Sequence, residues 1–278
     1  MAENLQLLKR RIGTAKNIAQ IAKAMEMISA SKIKKAQSAV VNNKPYTERI
    51  ITLTNNILRH ADLKKFSHPY ISNKSKSDKK LLIVTSPDKG LCGSLNTNLF
   101  KKILEQENKD TKIVAIGKRA GRFSGRLEGD LIGEFPMGTI LPDYSIVYSI
   151  IEVINAEYLT GNVSKVEILY TEFSSIFSQE PTIKTLLPID ISHNEEELPY
   201  IFEPSEEEIL SDLLPYYLEV YLFNSIIEAY TSEQAARMVA MQNAKNNALD
   251  IADYLTLSYN KSRQEGITNE LLSLANNI

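Results

Sequence analysis

The 278-residue chain holds a single cysteine, Cys92, so no internal disulfide can form, and the composition fits a reducing compartment. Its three histidines, His60, His68 and His193, are scattered and share no metal-ligand spacing with Cys92, so no metal site is expected. There is no run of about 18 apolar residues, which excludes a membrane-spanning helix. The N-terminal stretch MAENLQLLKRR lacks the apolar segment of a signal peptide. No G-x-x-x-x-G-K-[ST] occurs, which excludes a nucleotide-binding P-loop. G-x-S-x-G and H-E-x-x-H are absent too, so catalytic residues and cofactors are both expected to be none.

The composition itself is that of a folded protein. Hydrophobic residues make up 43% of the chain, enough for a packed core. The net charge of -2 conceals an asymmetry. Residues 1–40 carry eight Lys or Arg against Glu3 and Glu26, whereas residues 190–219 carry ten Asp or Glu and no Lys or Arg. Such a basic end suits an acidic protein surface, an anionic lipid or a nucleic acid, or it is a solvated helix face.

Three regions follow one another. Residues 1–60 are rich in helix formers, with no proline before Pro45, where a kink or a new helix is expected. Residues 61–79 are polar and unpatterned, a linker. Residues 80–200 alternate strand and helix patterns. Strands are predicted at 80–86, 112–117, 166–173 and 181–189. Helices are predicted at 95–107, near 119–125 and at 144–159. That order implies a partly parallel, Rossmann-like α/β domain with right-handed crossovers. Residues 201–278 return to helix, opened by a capping box of Ser205 and Glu208, with Pro215 expected to kink or restart it.

The terminal helices carry matching seams. Positions 5, 8, 12, 15, 19, 22, 26, 29, 33, 36 and 40 alternate steps of three and four, and only Glu26 and Ser29 interrupt an apolar stripe. Positions 223, 227, 230, 234, 237, 241, 244, 248, 251, 255, 258 and 262 repeat the pattern at the other end. Heptad seams of this kind predict an antiparallel two-helix coiled coil, with small alanines allowing close approach; the alternative is that both helices pack on the central sheet. Forty residues make a rod of about 60 Å. One charge sits on each seam, Glu26 and Arg237. Pairing them predicts that they lie at one level or within one turn, with Ala15 near Ala248 and Ala19 near Ala244; the alternative is that both charges turn outward and the apolar residues alone set the register.

The loop PDKGLCGSLN (87–96) stands where a Rossmann fold binds phosphate, but its glycines, Gly90 and Gly93, lack the G-x-G-x-x-G spacing. A tight strand-to-helix turn is expected instead. Lys89 is the one nearby group that could activate Cys92, and no histidine is local, so a buried structural thiol is expected.

Three stretches resemble one family. RRIGTAKNIAQIAKAMEMISASKIKKAQ (10–37), SPDKGLCGSLNTNLFKKI (86–103) and SEQAARMVAMQNAKNNALDIADYLTLSYNKSRQEGITNEL (232–271) are similar to the gamma subunits of F-type ATP synthases. The resemblance runs through the whole chain in order. It implies a non-catalytic central rotor shaft whose terminal helices turn inside a ring of alternating alpha and beta subunits. The α/β domain would then contact the epsilon subunit and the c-ring of the membrane. Lys23, Met25 and Glu26 in KAMEM, with Arg237 in SEQAARMVAM, would face the beta subunits at the lower opening of the ring. Arg263 and Gln264, with Thr268 nearby, would form a polar catch with one beta subunit. The basic first helix would face acidic loops of the beta subunits.

Gly266 stands where the family has alanine, and Gly13 where it has a longer residue. No cysteine-bearing insertion of the chloroplast type is present. A Met1 placed directly before the first motif favours a bacterial source and the cytoplasmic face of the cell membrane. The competing possibilities are a Rossmann-type enzyme, for which a phosphate loop is missing, and a coiled-coil binding protein using the basic N-terminal helix. For the latter to bind nucleic acid, stacking aromatics are missing there and residues 190–219 would repel phosphates.

Overall fold

The computed structural model describes residues 2–60, 68–72, 77–106, 109–189, 203 and 205–275. Most of the predicted linker, Met1, His193 and the start of the acidic stretch (190–202) lie outside the described residues.

The chain begins with helix α1 (Ala2–His60). Strand β1 (Lys80–Thr85), helix α2 (Leu95–Gln106), strand β2 (Thr111–Ile116), helix α3 (Lys118–Ser124) and strand β3 (Asp130–Phe135) follow. Then come helix α4 (Ser145–Tyr158), strands β4 (Lys165–Phe173) and β5 (Gln179–Leu187), and helix α5 (Glu206–Ala275). The predicted strands and helices all recur within a residue or two. The addition is β3, and neither Pro45 nor Pro215 starts a new helix, since α1 and α5 run through them. The Ser205 hydroxyl accepts the Glu208 N–H at 3.3 Å, as the capping motif requires.

The strands order as β3-β2-β1-β4-β5. The pairs β1–β2, β2–β3 and β1–β4 are parallel, and β5 runs antiparallel to β4. Strand β3 escapes prediction because it is a half-buried edge strand holding Gly133. Its register slips opposite Ile113 and Val114, a bulge that breaks the alternation by which strands are recognised.

The chain divides into two compact units. One comprises Ser31–Ala236 and the other the chain up to Ala30 together with Arg237 onward. In the first, alternate strand residues face opposite sides of the sheet. Leu81, Ile83, Val114, Ile116, Val166 and Ile168 pack with Val147, Ile150 and Ile154 of α4 and with Leu58 and Leu214 of the long helices. Leu82, Val84, Ile113, Ala115 and Leu169 pack on the other side with Leu99 and Ile103 of α2 and Ala120 of α3. The result is a sheet covered by helices on both faces, as a parallel sheet demands.

The second unit is made from α1 and α5 alone. Its described buried residues on α1 are Ala15, Ala19, Ala22 and Ser29, and on α5 Arg237, Met241, Ala248 and Ala252. Every seam position predicted on α1 is buried or half-buried. On α5 the seam drifts: Ile251 is exposed and Ala252 takes the buried place. A straight helix of 3.6 residues per turn drifts from a 3.5-residue repeat by about 20° per heptad, which accounts for the shift.

Candidate partner-contact surfaces

In the α/β unit, the crevice at the carboxyl ends of the strands is where an open α/β sheet would bind a ligand. Here Asp88 occupies it. One carboxylate oxygen accepts the backbone N–H of Lys118 at 2.9 Å and of Met137 at 3.3 Å, and the other accepts that of Gly138 at 2.9 Å. Those amides would otherwise face an anion. The Ser86 hydroxyl accepts the N–H of Ala120 at 2.8 Å, capping α3. Gly117, at φ 98°, lies so close that a Cβ would come within 1.9 Å of the Ser86 carbonyl oxygen. The loop is thus closed by its own side chains, with a negative charge where a phosphate would have to sit.

Cys92 is buried, and the Asn96 side-chain amide donates to its sulfur at 3.2 Å. It packs with Leu95 and Ala236. That is the environment of a structural thiol. Among the described residues no cluster of His, Cys, Asp or Glu could hold a metal ion, and no helix is long and apolar enough to cross a membrane.

The helix-pair unit is different. Its outer faces carry large apolar side chains: Ile21 is 61% exposed, Met27 64%, Tyr254 70% and Leu257 70%. Leu7, Ile18, Ile28, Leu249 and Ile251 are exposed too. Large apolar side chains exposed at this frequency on one helix pair make it a candidate protein–protein contact.

The predicted contact residues take different positions. Lys23 is exposed, Met25 and Glu26 are half-buried, and Arg237 is buried. Arg263, Gln264 and Thr268 are exposed on one stretch of α5, where the Thr268 hydroxyl donates to the Gln264 carbonyl at 3.0 Å. Glu26 does not take the partner expected from the seams. Its carboxylate accepts from the Lys245 ammonium at 2.8 Å, eight residues beyond Arg237 along α5. Eight residues are about 12 Å of helix, more than the single turn of tolerance that the Glu26–Arg237 pairing allows. Lys245 was missed because it lies one place off the predicted seam, and a long flexible side chain reaches in from there.

Residues 4–276 match the ATP synthase family. An ATP synthase gamma chain from Roseiflexus castenholzii is 40% identical, covering 96% of this chain and 95% of that one. One from Dehalococcoides mccartyi is 38% identical, covering 98% and 96%. The chain belongs to the ATP synthase gamma chain family. As such it is a non-catalytic rotor subunit of that enzyme. The fold agrees. A mitochondrial ATP synthase rotor structure from Euglena gracilis superposes with a TM-score of 0.70 at 20% identity, covering 96% of this chain and 100% of that one. A central stalk and c-ring structure from Tetrahymena thermophila gives a TM-score of 0.61 at 21% identity, covering 81% and 99%. A Rossmann-type enzyme and a separate nucleic-acid-binding coiled coil are set aside by the family membership.

Proposed function

We propose that this gamma chain turns inside a ring of alternating alpha and beta subunits and so couples ion flow through the c-ring to ATP synthesis or hydrolysis. The observation that carries it is the run of exposed apolar side chains on the paired helices, from Ile18 to Ile28 and from Leu249 to Leu257. Such a surface calls for a close sleeve. Residues 1–60 and 201–278 act as the shaft, 61–79 as a linker, and 80–200 as the part that meets the epsilon subunit and the c-ring. Lys23, Met25, Glu26 and Arg237 serve the lower opening of the ring. Arg263, Gln264 and Thr268 serve as the polar catch. In a bacterium the complex would sit on the cytoplasmic face of the cell membrane.

The experiment mixes the purified chain with its cognate alpha and beta subunits. The chain alone is expected to show no ATP turnover, and the mixture a complex with one copy of the chain per ring. Arg263→Ala with Gln264→Ala is expected to lower turnover of the complex about tenfold, equivalent to ~1.4 kcal/mol, with assembly intact. Robust turnover by the contaminant-free chain, or failure to join the ring, contradicts the proposal.

A further inference from the structure

We infer that Lys245 is a positioning residue, which neutralises Glu26 within the helix pair and thereby sets the axial register of α5 against α1. This rests on the rotor reading only for its consequence in the complex; the register itself is a property of the chain.

Glu26 occupies a seam position, between the buried Ala22 and Ser29. A carboxylate there is costly unless a cation meets it. The Lys245 ammonium lies 2.8 Å away, and the two side chains are only 22% and 24% exposed. The contact joins residues 219 positions apart, so it ties one helix to the other and not a helix to itself. Lys23, a turn before Glu26 on α1, is exposed.

The helix pair holds one other buried charge among its described residues, Arg237 on the seam of α5. Its described buried side chains are mostly alanine, which packs closely but can slide from one small residue to the next. A polar pair at a seam position is the best-attested device for specifying register, because each slipped alignment leaves a charge unmatched. Stepping one turn from the pair along both antiparallel helices joins buried Ala22 to buried Ala248. The next turn joins Ala19 to Ala252. Two independent burial patterns therefore agree with the alignment that Lys245 selects. In the complex, the same pairing keeps the Glu26 charge satisfied by its own chain, so that the sleeve need not supply a cation.

The test uses the full chain with Cys92→Ser, Ala22→Cys and Ala248→Cys, and measures the rate of disulfide formation under mild oxidation. Lys245→Met is expected to slow it about threefold, in line with a partly exposed ion pair. Lys245→Arg should restore the rate. The exchange Glu26→Lys with Lys245→Glu should also restore it, although each single change slows it. An unchanged rate in Lys245→Met, or an exchange no better than its single members, overturns the inference. Failure of the rotor reading would look different: the parent chain would not join alpha and beta subunits, while the disulfide rates of the free chain still followed the charge pair.

Discussion

The two units of this chain bury themselves in opposite ways. In the α/β unit Leu82, Ile83, Val114, Ile150 and Ile168 are fully shielded, and sheet, helices and loops supply one another's surfaces. In the helix pair the shielded residues are mainly alanines, while leucine, isoleucine and tyrosine side chains stand in solvent. The first unit contains its own hydrophobic driving force; the second exposes the residues that would supply one. What differs is where the partner of each apolar side chain resides, and that difference distinguishes a self-contained domain from a helix pair that leaves apolar surface uncovered.

The comparison breaks most readily in the α/β core. Ile150→Ala should cost about 2–5 kcal/mol, since it opens a cavity against a fully packed sheet. Urea denaturation of the free chain measures it. By contrast, Tyr254→Ala should leave the free chain's stability within about 0.5 kcal/mol and weaken only assembly with alpha and beta subunits. A large loss of stability from Tyr254→Ala would mean that the helix pair has a self-contained core.

Asp88→Ala comes next, with an expected loss of about 1–3 kcal/mol, because three backbone N–H groups lose their acceptor. The same variant is expected to gain no ATP binding by equilibrium dialysis, since the sequence holds no G-x-x-x-x-G-K-[ST] loop to cradle a triphosphate.

A smaller effect belongs to Glu228. Burial pushes its carboxyl above the ordinary range, with Asn224 and Lys44 opposing and Glu172 reinforcing the shift. A raised carboxyl favours the fold while protonated; that contribution is complete below the unfolded value, about 4.3, and is lost as pH rises through the folded one. Glu228→Gln should therefore raise the melting temperature at pH 8, with the gain shrinking toward pH 4. A gain that is the same at both pH values would contradict the assignment.

Much of this was legible in the sequence, for physical reasons that can be named. Continuous branched runs such as LLIVT declare buried parallel strands, and Ser205 with Glu208 declares a helix start. The seam of α1 follows its heptads as far as Val40. Strand β3 was hidden because an edge strand with a bulge has neither full burial nor strict alternation. On α5, the heptad spacing favours Ile251 where the helix buries Ala252, since chemistry suggests the larger apolar residue and helical drift selects the smaller. The Glu26–Arg237 pairing failed because it counted only charges on the seams. Lys245 stands beside its seam and reaches Glu26 by its length. Arg263, Gln264 and Thr268, proposed as sleeve contacts, are exposed in the free chain, and the proposal places their partners on other subunits.

The central claim is that this chain turns while its sleeve hydrolyses ATP. It is tested most directly by observing single complexes with alpha and beta subunits, anchored through the ring, with a bead attached at Phe177→Cys in a Cys92→Ser chain. Phe177 is exposed in the β4–β5 hairpin, far in sequence from the helix pair. ATP should drive continuous rotation of the bead in one direction. A bead that stays still on complexes that demonstrably hydrolyse ATP would contradict the account.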